Sequence, residues 1–337
     1  MDYVNRLVEK MKKEAQEEDY ISICASYASR LEKNGIPIIF DFKHLSLLLG
    51  YEPHEIAFYL FAQDAEFYNK IYIPKKNGEK RVIDIPSDRL KDIQRWILDN
   101  ILVKYQLHDC CFGFRKGKSI YDNAINHINQ ACVLNFDLKD FFPSIKQKQV
   151  FLLFYNQGYT KKVSYYLSKL LTKEGVLPQG SPASPMISNI IAYKLDKRLS
   201  SVANKYNATY SRYADDITFS GKRNIVNLIP IVYKIIVDEG FQVNKQKTRY
   251  AYDYQRQEVT GLVVNKKVSI PKKYIRELKK EIYFCKKYGV VSHLKAVNQE
   301  KSFFKEHLFG KAYFVYMIDK DMGGELLKEL NEIEWEY

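Results

Sequence analysis

Three carboxylates stand out by type and setting. Asp137 lies in the run Cys132-Val133-Leu134-Asn135-Phe136-Asp137-Leu138, whose alternation puts Leu134, Phe136 and Leu138 on one face of a strand and Asn135 and Asp137 on the other. A strand packed through its apolar face aims Asp137 into a cleft. Asp215 and Asp216 are adjacent at the bend of a hairpin read from "ATYSRYADDITFSG", flanked by Tyr213 and by the apolar Ile217 and Phe219. Three carboxylates brought together repel unless divalent cations lie between them. Mg²⁺ suits such a set, with Mn²⁺ as the alternative, because it takes a few carboxylates and completes its shell with substrate phosphates. Two such ions about 3.5 to 4 Å apart activate an attacking hydroxyl and stabilise a leaving oxygen, the chemistry of nucleotidyl transfer. Singly, each motif has a plainer reading: a strand-end or capping Asp for Asp137, an ordinary turn for the pair.

The elements that must position these groups follow from patterning. Residues 1 to about 34 read as one polar amphipathic helix, with Val4, Leu7, Val8 and Met11 at helical spacing and Gly35 as its stop. Shorter helices follow around 43–49 and 53–62, the second opened by Pro53. "FYNKIYIPKKNGEKRVIDIPS" is a hairpin turning at Asn77-Gly78, with Lys75, Lys76, Lys80 and Arg81 on its turn and second strand. A helix capped by Ser87 runs to about Tyr105 with Ile93, Trp96, Ile97 and Ile101 inward, and another begins at Ser119. After the Asp137 strand, Pro143 ends the extended run and helices continue to about Thr172. The loop "GVLPQGSPASP" leads into a helix over about 186–204, and a helix to about Asp238, stopped by Gly240, precedes short strands through Ile270. Pro271 opens a helix to about Tyr288 whose inner face is Ile275, Leu278, Ile282 and Cys285; it carries seven Lys or Arg against two Glu.

Composition limits the classes available. The 337 residues allow two or three cooperating lobes, with no repeat or low-complexity linker between them. A hydrophobic fraction of 46% excludes general disorder, and a formal charge of +13 calls for an anionic partner, nucleic acid first. Without a long apolar run or a signal-peptide h-region, the reading is a soluble cytoplasmic protein with no membrane partner. Cys24, Cys110, Cys111, Cys132 and Cys285 are odd in number and hold no Cys-x-x-Cys pair, so they read as reduced and structural.

Along residues 70–265 the blocks "KRVIDIPS", "GFRKGKSI", "NFDLKDFFPSI", "LPQGSPASPMISNII", "YADD", "EGFQVNKQKT" and "VTGLVV" occur in the order found in reverse transcriptases, which this sequence resembles. The resemblance implies an α+β right-hand polymerase with an antiparallel palm sheet and helical N- and C-terminal parts. Its expected divisions are an N-terminal helical region (1–66), fingers with part of the palm (67–132), palm with a finger insertion around 146–185 (133–265), and a helical thumb that binds RNA or duplex (266–337). It implies catalytic roles for Asp137, Asp215, Asp216 and Lys247, the last beside the pyrophosphate, with Lys245 close enough to compete for that role. Metal contacts fall to Asp137, Leu138, Asp215 and Asp216. Nucleotide contacts fall to Arg81 on the triphosphate, Leu138, Gln179 against the incoming nucleotide, and Phe142 as a steric gate against a ribose 2′-hydroxyl. Phe141 is read as core, and Lys75 or Lys76 as an assistant to Arg81.

Within the family the chain looks most like the bacterial retron enzymes, through Asn123-Ala124-Ile125-Asn126-His127 and Val259-Thr260-Gly261. That resemblance implies a structured non-coding RNA as template and primer, a branched RNA–DNA product (msDNA) started from an RNA 2′-hydroxyl, dNTPs as substrates, and a role in anti-phage defence with a separate effector protein. Asn123, His127, Thr260, Lys272, Lys273, Arg276 and Lys279 are the RNA-contact candidates. No RNase H, protease or endonuclease region is recognisable. The competing readings are a group II intron or abortive-infection reverse transcriptase, and a non-catalytic RNA-binding scaffold.

Overall fold

The computed structural model describes residues 3–74, 78, 80–297 and 303–335. Its elements are, in chain order, α1 (Tyr3–Lys13), α2 (Glu18–Lys33), α3 (Phe42–Leu49), α4 (Pro53–Phe61), β1 (Tyr68–Pro74), β2 (Lys80–Pro86), α5 (Asp88–Asn100), α6 (Ile120–Ala124) and β3 (Cys132–Lys139). Next come α7 (Phe141–Ser144), α8 (Gln147–Asn156), α9 (Lys161–Leu171), α10 (Ser184–Ile191), α11 (Tyr193–Lys205), β4 (Thr209–Tyr213), β5 (Asp216–Gly221) and α12 (Ile229–Asp238). The remainder holds β6 (Gln242–Val243), β7 (Arg249–Tyr252), β8 (Glu258–Val259), β9 (Leu262–Val263), α13 (Lys272–Tyr288), α14 (Val290–Ala296), α15 (Phe304–Ile318) and α16 (Lys320–Asn331). The class is α+β, and the strand pairings given by register are antiparallel.

Two compact units divide the chain. The first comprises 1–115, 137–199 and 231–244; the second comprises 116–136, 200–230 and 245–337. In the first, β1 and β2 form a hairpin from Tyr68↔Pro86 to Pro74↔Lys80, and Lys75, Lys76 and Asn77 of its expected turn lie outside the described residues. In the second, the order β4-β5-β3 builds most of a sheet, and β3 continues across the division to pair with β6. A separate core there, with Leu278, Ile282, Leu308, Val315, Leu326 and Leu330 buried, unites the C-terminal helices.

Several expected elements differ in detail. The single N-terminal helix is two, because Ala15 takes a left-handed φ of +54° and turns the chain back. The reversal lets Ile21 and Cys24 of α2 bury against Met11, Leu7 and Val8 of α1, which one straight helix could not do. Ser87 precedes α5, but its hydroxyl makes no cap bond and is buried without a partner among the described residues; α5 ends at Asn100, and Leu102–Lys104 form a tighter 3-10 turn. Trp96 is only half-buried, and Gln94 takes the inward place, donating to the Tyr68 hydroxyl (3.1 Å) and the Leu170 carbonyl (2.9 Å). The chain leaves β3 at Asp140, φ +48°, and not at Pro143, which sits in the first turn of α7, where its missing N–H costs nothing. The helix expected over 186–204 is interrupted at Ala192 into α10 and α11.

Candidate active site

Alternation along β3 is as the sequence requires: Leu134, Phe136 and Leu138 are buried, whereas Asn135 and Asp137 are half-exposed. The Asn244 backbone N–H donates to the Asp137 carbonyl at 2.8 Å, which ties that carbonyl to the β6 side. Since successive carbonyls point to opposite edges of a strand, the Leu138 carbonyl faces away from β6, free of that ladder.

The second carboxylate mount is the β4–β5 hairpin. Tyr213 pairs with Asp216, leaving Ala214 and Asp215 as a two-residue loop. Ala214 takes φ +58°, and its carbonyl accepts a 3.0 Å bond from Nη1 of the fully buried Arg212. Asp215 is half-buried and Asp216 exposed. Asp216 shares its face of β5 with Thr218, whose Oγ1 donates to Asn135 Oδ1 at 3.1 Å. Asn135 in turn lies two residues before Asp137, on the same face of β3. Arg212 was missed by sequence reasoning, because an Arg beside a Tyr in a strand gives no sign of burial.

Beneath this hairpin lies a correction. His127 and Asn123, RNA-contact candidates from the sequence, are both enclosed. The His127 ring is held by the Ser220 hydroxyl at Nδ1 and the Ser211 hydroxyl at Nε2, each at 2.7 Å, and burial lowers its pKa to about 3. A neutral imidazole locked between two strand hydroxyls supports the hairpin and touches no RNA. Thr260, the third such candidate, occupies the β8–β9 turn with φ +47°, followed by Gly261 at +81°, the pair of positive angles that a two-residue hairpin needs. Its hydroxyl reaches the Ile120 carbonyl at the start of α6 (3.4 Å). Ala124, Val133, Val259, Leu262 and Val264 pack together with Ile120 against them, so apolar residues of the two motifs that suggested the retron branch share one core.

In the first unit, the loop carrying Gln179 is pressed against β2. A Cβ on Gly180 would meet the Asp84 carbonyl oxygen at 2.2 Å, so only glycine permits this approach. The side chain of Asp84 pairs with the buried Lys173, whose ammonium lies 5.6 Å from the Tyr68 ring centre, and Asp64 holds Lys169 (3.2 Å) and the Glu174 N–H. This ion network, also unread in the sequence, fixes the hairpin on which Arg81 is exposed to the loop on which Gln179 is half-buried. Phe141 is core, as expected, while Phe142 is half-buried with its ring against Phe141 (5.6 Å) and Phe114 (6.0 Å). Lys75 and Lys76 lie outside the described residues. In the second unit, Lys247 is exposed on the 3-10 turn Lys245–Lys247, and Lys272, Lys273, Arg276 and Lys279 line the exposed face of α13 opposite the buried Leu278, Ile282 and Cys285.

Asp137, Asp215 and Asp216 offer the hard oxygen donors that a divalent cation prefers. Among the described residues, no group of three His, Cys, Asp or Glu side chains is placed to hold a metal ion. Carboxylates with no cation between them repel, and an ion of this type draws much of its shell from water and phosphates, so the fit rests on the chemistry of the donors.

The family model described as reverse transcriptase (RNA-dependent DNA polymerase) matches residues 73–280. The chain belongs to the reverse transcriptases, in their retron branch. It is 33% identical to the retron Ec86 reverse transcriptase of Escherichia coli, over 91% of this chain and 94% of that protein. Identity to the retron Mx162 reverse transcriptase of Myxococcus xanthus is 34%, over 90% of this chain and 69% of that one. A solved telomerase from Candida albicans, in complex with a TWJ fragment of telomeric RNA, aligns with a TM-score of 0.45 and 12% identity over 79% of this chain and 63% of that chain. The chain is thus an RNA-directed DNA polymerase that binds an RNA template, with the right-hand fold of its family and the family's use of divalent metal ions. Among the described residues no helix is long and apolar enough to cross a membrane.

Proposed function

We propose that this polymerase copies a dedicated structured non-coding RNA, priming from a 2′-hydroxyl of that RNA to yield branched RNA–DNA. The observation that supports the catalytic part is the Thr218–Asn135 bond, because it ties β5, the strand that begins at Asp216, to β3, the strand that carries Asp137. The identity to retron enzymes over nine-tenths of the chain supports the choice of RNA. In this reading residues 1–66 are an N-terminal helical region, 67–132 fingers, 133–265 palm with an insertion around 146–185, and 266–337 thumb.

Asp137, Asp215 and Asp216, with the Leu138 carbonyl, hold two Mg²⁺ ions. When bound, such ions lower the pKa of the attacking hydroxyl and stabilise the leaving oxygen. Arg81 grips the triphosphate with its forked guanidinium, a bidentate role that Lys fills poorly. Gln179 lies against the nucleotide, held there by the Gly180–Asp84 contact. Phe142 packs under the sugar and excludes a 2′-hydroxyl. Lys247 stabilises the pyrophosphate or gives it a proton. The exposed cations of α13 bind phosphates of RNA or duplex. The protein works in the cytoplasm, and its role is anti-phage defence with a separate effector.

The test is to sequence the RNA that copurifies with the protein and to ask whether DNA is covalently attached to it. A single structured RNA carrying DNA on a 2′-oxygen is expected. RNA of random origin, or DNA carrying no such linkage, would refute the retron priming while leaving the polymerase intact.

A further inference from the structure

Strand β7 presents an aromatic ladder that the polymerase chemistry does not use. Tyr250, Tyr252 and Tyr254 recur at every second position, so β7 and the turn after it bring them to one side. The Tyr252 N–H bonds Gln255 Oε1 and the Gln255 N–H bonds the Tyr252 carbonyl, both at 2.9 Å, which fixes Tyr254 in place beyond the strand end. The ring centres are 5.5 Å apart for Tyr250 and Tyr252 and 5.7 Å for Tyr252 and Tyr254, at 63° and 31°. Arg223 lies over Tyr252 and Tyr254 at 5.6 and 5.8 Å, anchored by Asp253 at 2.9 Å. Tyr250 is 49% exposed and Tyr254 72%.

The ladder lies away from the catalytic face. Tyr250 pairs with Leu134 and Tyr252 with Cys132, so both tyrosines are on the side of those buried residues, opposite to Asn135. Edge strands with exposed rings invite unwanted pairing unless something covers or charges them. Here the flanking charge is still basic on balance: Lys222, Arg223, Arg249 and Arg256 stand against Asp253, which pairs with Arg223, and Glu258, which pairs with Arg256.

We propose that this ladder is a stacking platform for an unpaired segment of RNA. Tilted, half-exposed rings offer faces to splayed bases, and Arg supplies both a planar stacking surface and attraction for the phosphates. A duplex hides its base faces and gains nothing from the rings, which separates this surface from the face of α13 that bears Lys272, Lys273, Arg276 and Lys279. An apolar protein partner would not account for the cations. The proposal rests on the RNA-binding reading above, but its test needs no cognate RNA.

The full chain would be compared with a Tyr250→Ser/Tyr254→Ser variant and a Tyr250→Phe/Tyr254→Phe variant. The probes are a fluorescent oligouridine of about twelve nucleotides, within the usual footprint of such surfaces, and an RNA duplex of equal length. The Ser pair is expected to weaken oligouridine binding roughly tenfold to a hundredfold, as lost stacking does. Duplex binding and extension of a DNA-primed RNA template remain unchanged, and the Phe pair restores affinity because stacking needs the ring and not the hydroxyl. Unchanged oligouridine affinity in the Ser pair, an equal loss on duplex, or a Phe pair as weak as the Ser pair overturns the platform. Loss of a copurifying protein with RNA affinity intact also overturns it. Failure to find a copurifying retron RNA bears only on the earlier reading.

Discussion

Arg212 donates from Nη1 to the carbonyl oxygen of Ala214, 3.0 Å away, from a side chain with no solvent exposure. The acceptor belongs to the residue whose φ of +58° shapes the loop before Asp215. Hydrogen bonds from charged donors are worth about 1.5 to 3 kcal/mol, enough to hold a backbone in a sparsely populated conformation. Arg212→Met removes the donor while keeping much of the volume. Thermal unfolding should shift down by several degrees, and single-turnover nucleotide incorporation should fall by ~10-fold or more beyond that loss, because the loop relaxes. An unchanged incorporation rate at a temperature where the variant is folded would show that the loop does not depend on Arg212.

Asp215→Asn should leave the fold intact and abolish DNA synthesis. In the proposed site this half-buried carboxylate supplies charge for the cations, and preorganised electrostatics of this kind are often worth ~10² to 10³ in rate. Primer extension by the purified variant, with circular dichroism as the control for folding, decides it. Near-normal extension would remove Asp215 from the metal site.

Much of this site was legible in the sequence because its signals are local. A period of two along Cys132–Leu138 needs no partner to be read, and it placed Asp137 on the half-exposed face. The β4–β5 hairpin was likewise written in its own residues. What the sequence hid were pairings between residues far apart in the chain. Lys173 with Asp84, and His127 with Ser211 and Ser220, are separated by more than eighty positions, and exposure to solvent is decided only when such partners meet. For that reason the sequence left His127, a polar residue in a motif tied to RNA-binding enzymes, open between an RNA contact and a satisfied core histidine, and it is a buried strut. The N-terminal break at Ala15 was hidden differently: nothing in an alanine announces a positive φ, which tertiary packing of Ile21 and Cys24 imposed.

The buried imidazole predicts an acid limit. Its pKa falls from 6.5 to about 3 in the folded protein because burial penalises the charged ring. Between those values the unfolded chain binds a proton that the folded chain does not, so this contribution to stability is complete above pH 6.5 and is lost as pH drops below it. The slope is ~1.4 kcal/mol per pH unit for one such group. Denaturant midpoints should be level from neutral pH upward and decline below 6.5, before most carboxylates titrate. His127→Asn should be less stable at pH 7 yet lose less between pH 6.5 and 5. Parallel pH profiles for the two proteins would put the acid sensitivity elsewhere.

Phe142 is half-buried against Phe141 and Phe114, and the proposed function places a nucleotide sugar on its ring. Phe142→Val should open room for a 2′-hydroxyl and raise the kcat/KM for rNTPs relative to dNTPs. A factor of ~10 to 200 is what relief of one steric contact commonly yields. If the ratio stays put, Phe142 is core like Phe141, and the discrimination lies in another residue.

The basic face of α13 makes the sharpest statement about partner choice. Lys272, Lys273, Arg276 and Lys279 are exposed, and Leu278, Ile282 and Cys285 anchor the opposite side in the C-terminal core, so reversing the four cations to Glu leaves that core untouched. Lys273 has an exposed partner in Glu277 at 3.7 Å, a pair worth ~0.5 kcal/mol at most, and its loss will not unfold the helix. Phosphate contacts release counterions, so log K should fall with log salt by close to one unit of slope for each phosphate neutralised in duplex. In the reversed variant both affinity and slope should drop. If α13 reads a particular folded RNA, RNA-primed synthesis should collapse while extension of a DNA primer on a generic RNA template suffers much less. Equal loss on both substrates would make the helix a general duplex clamp, and no loss on either would make it a solvated face.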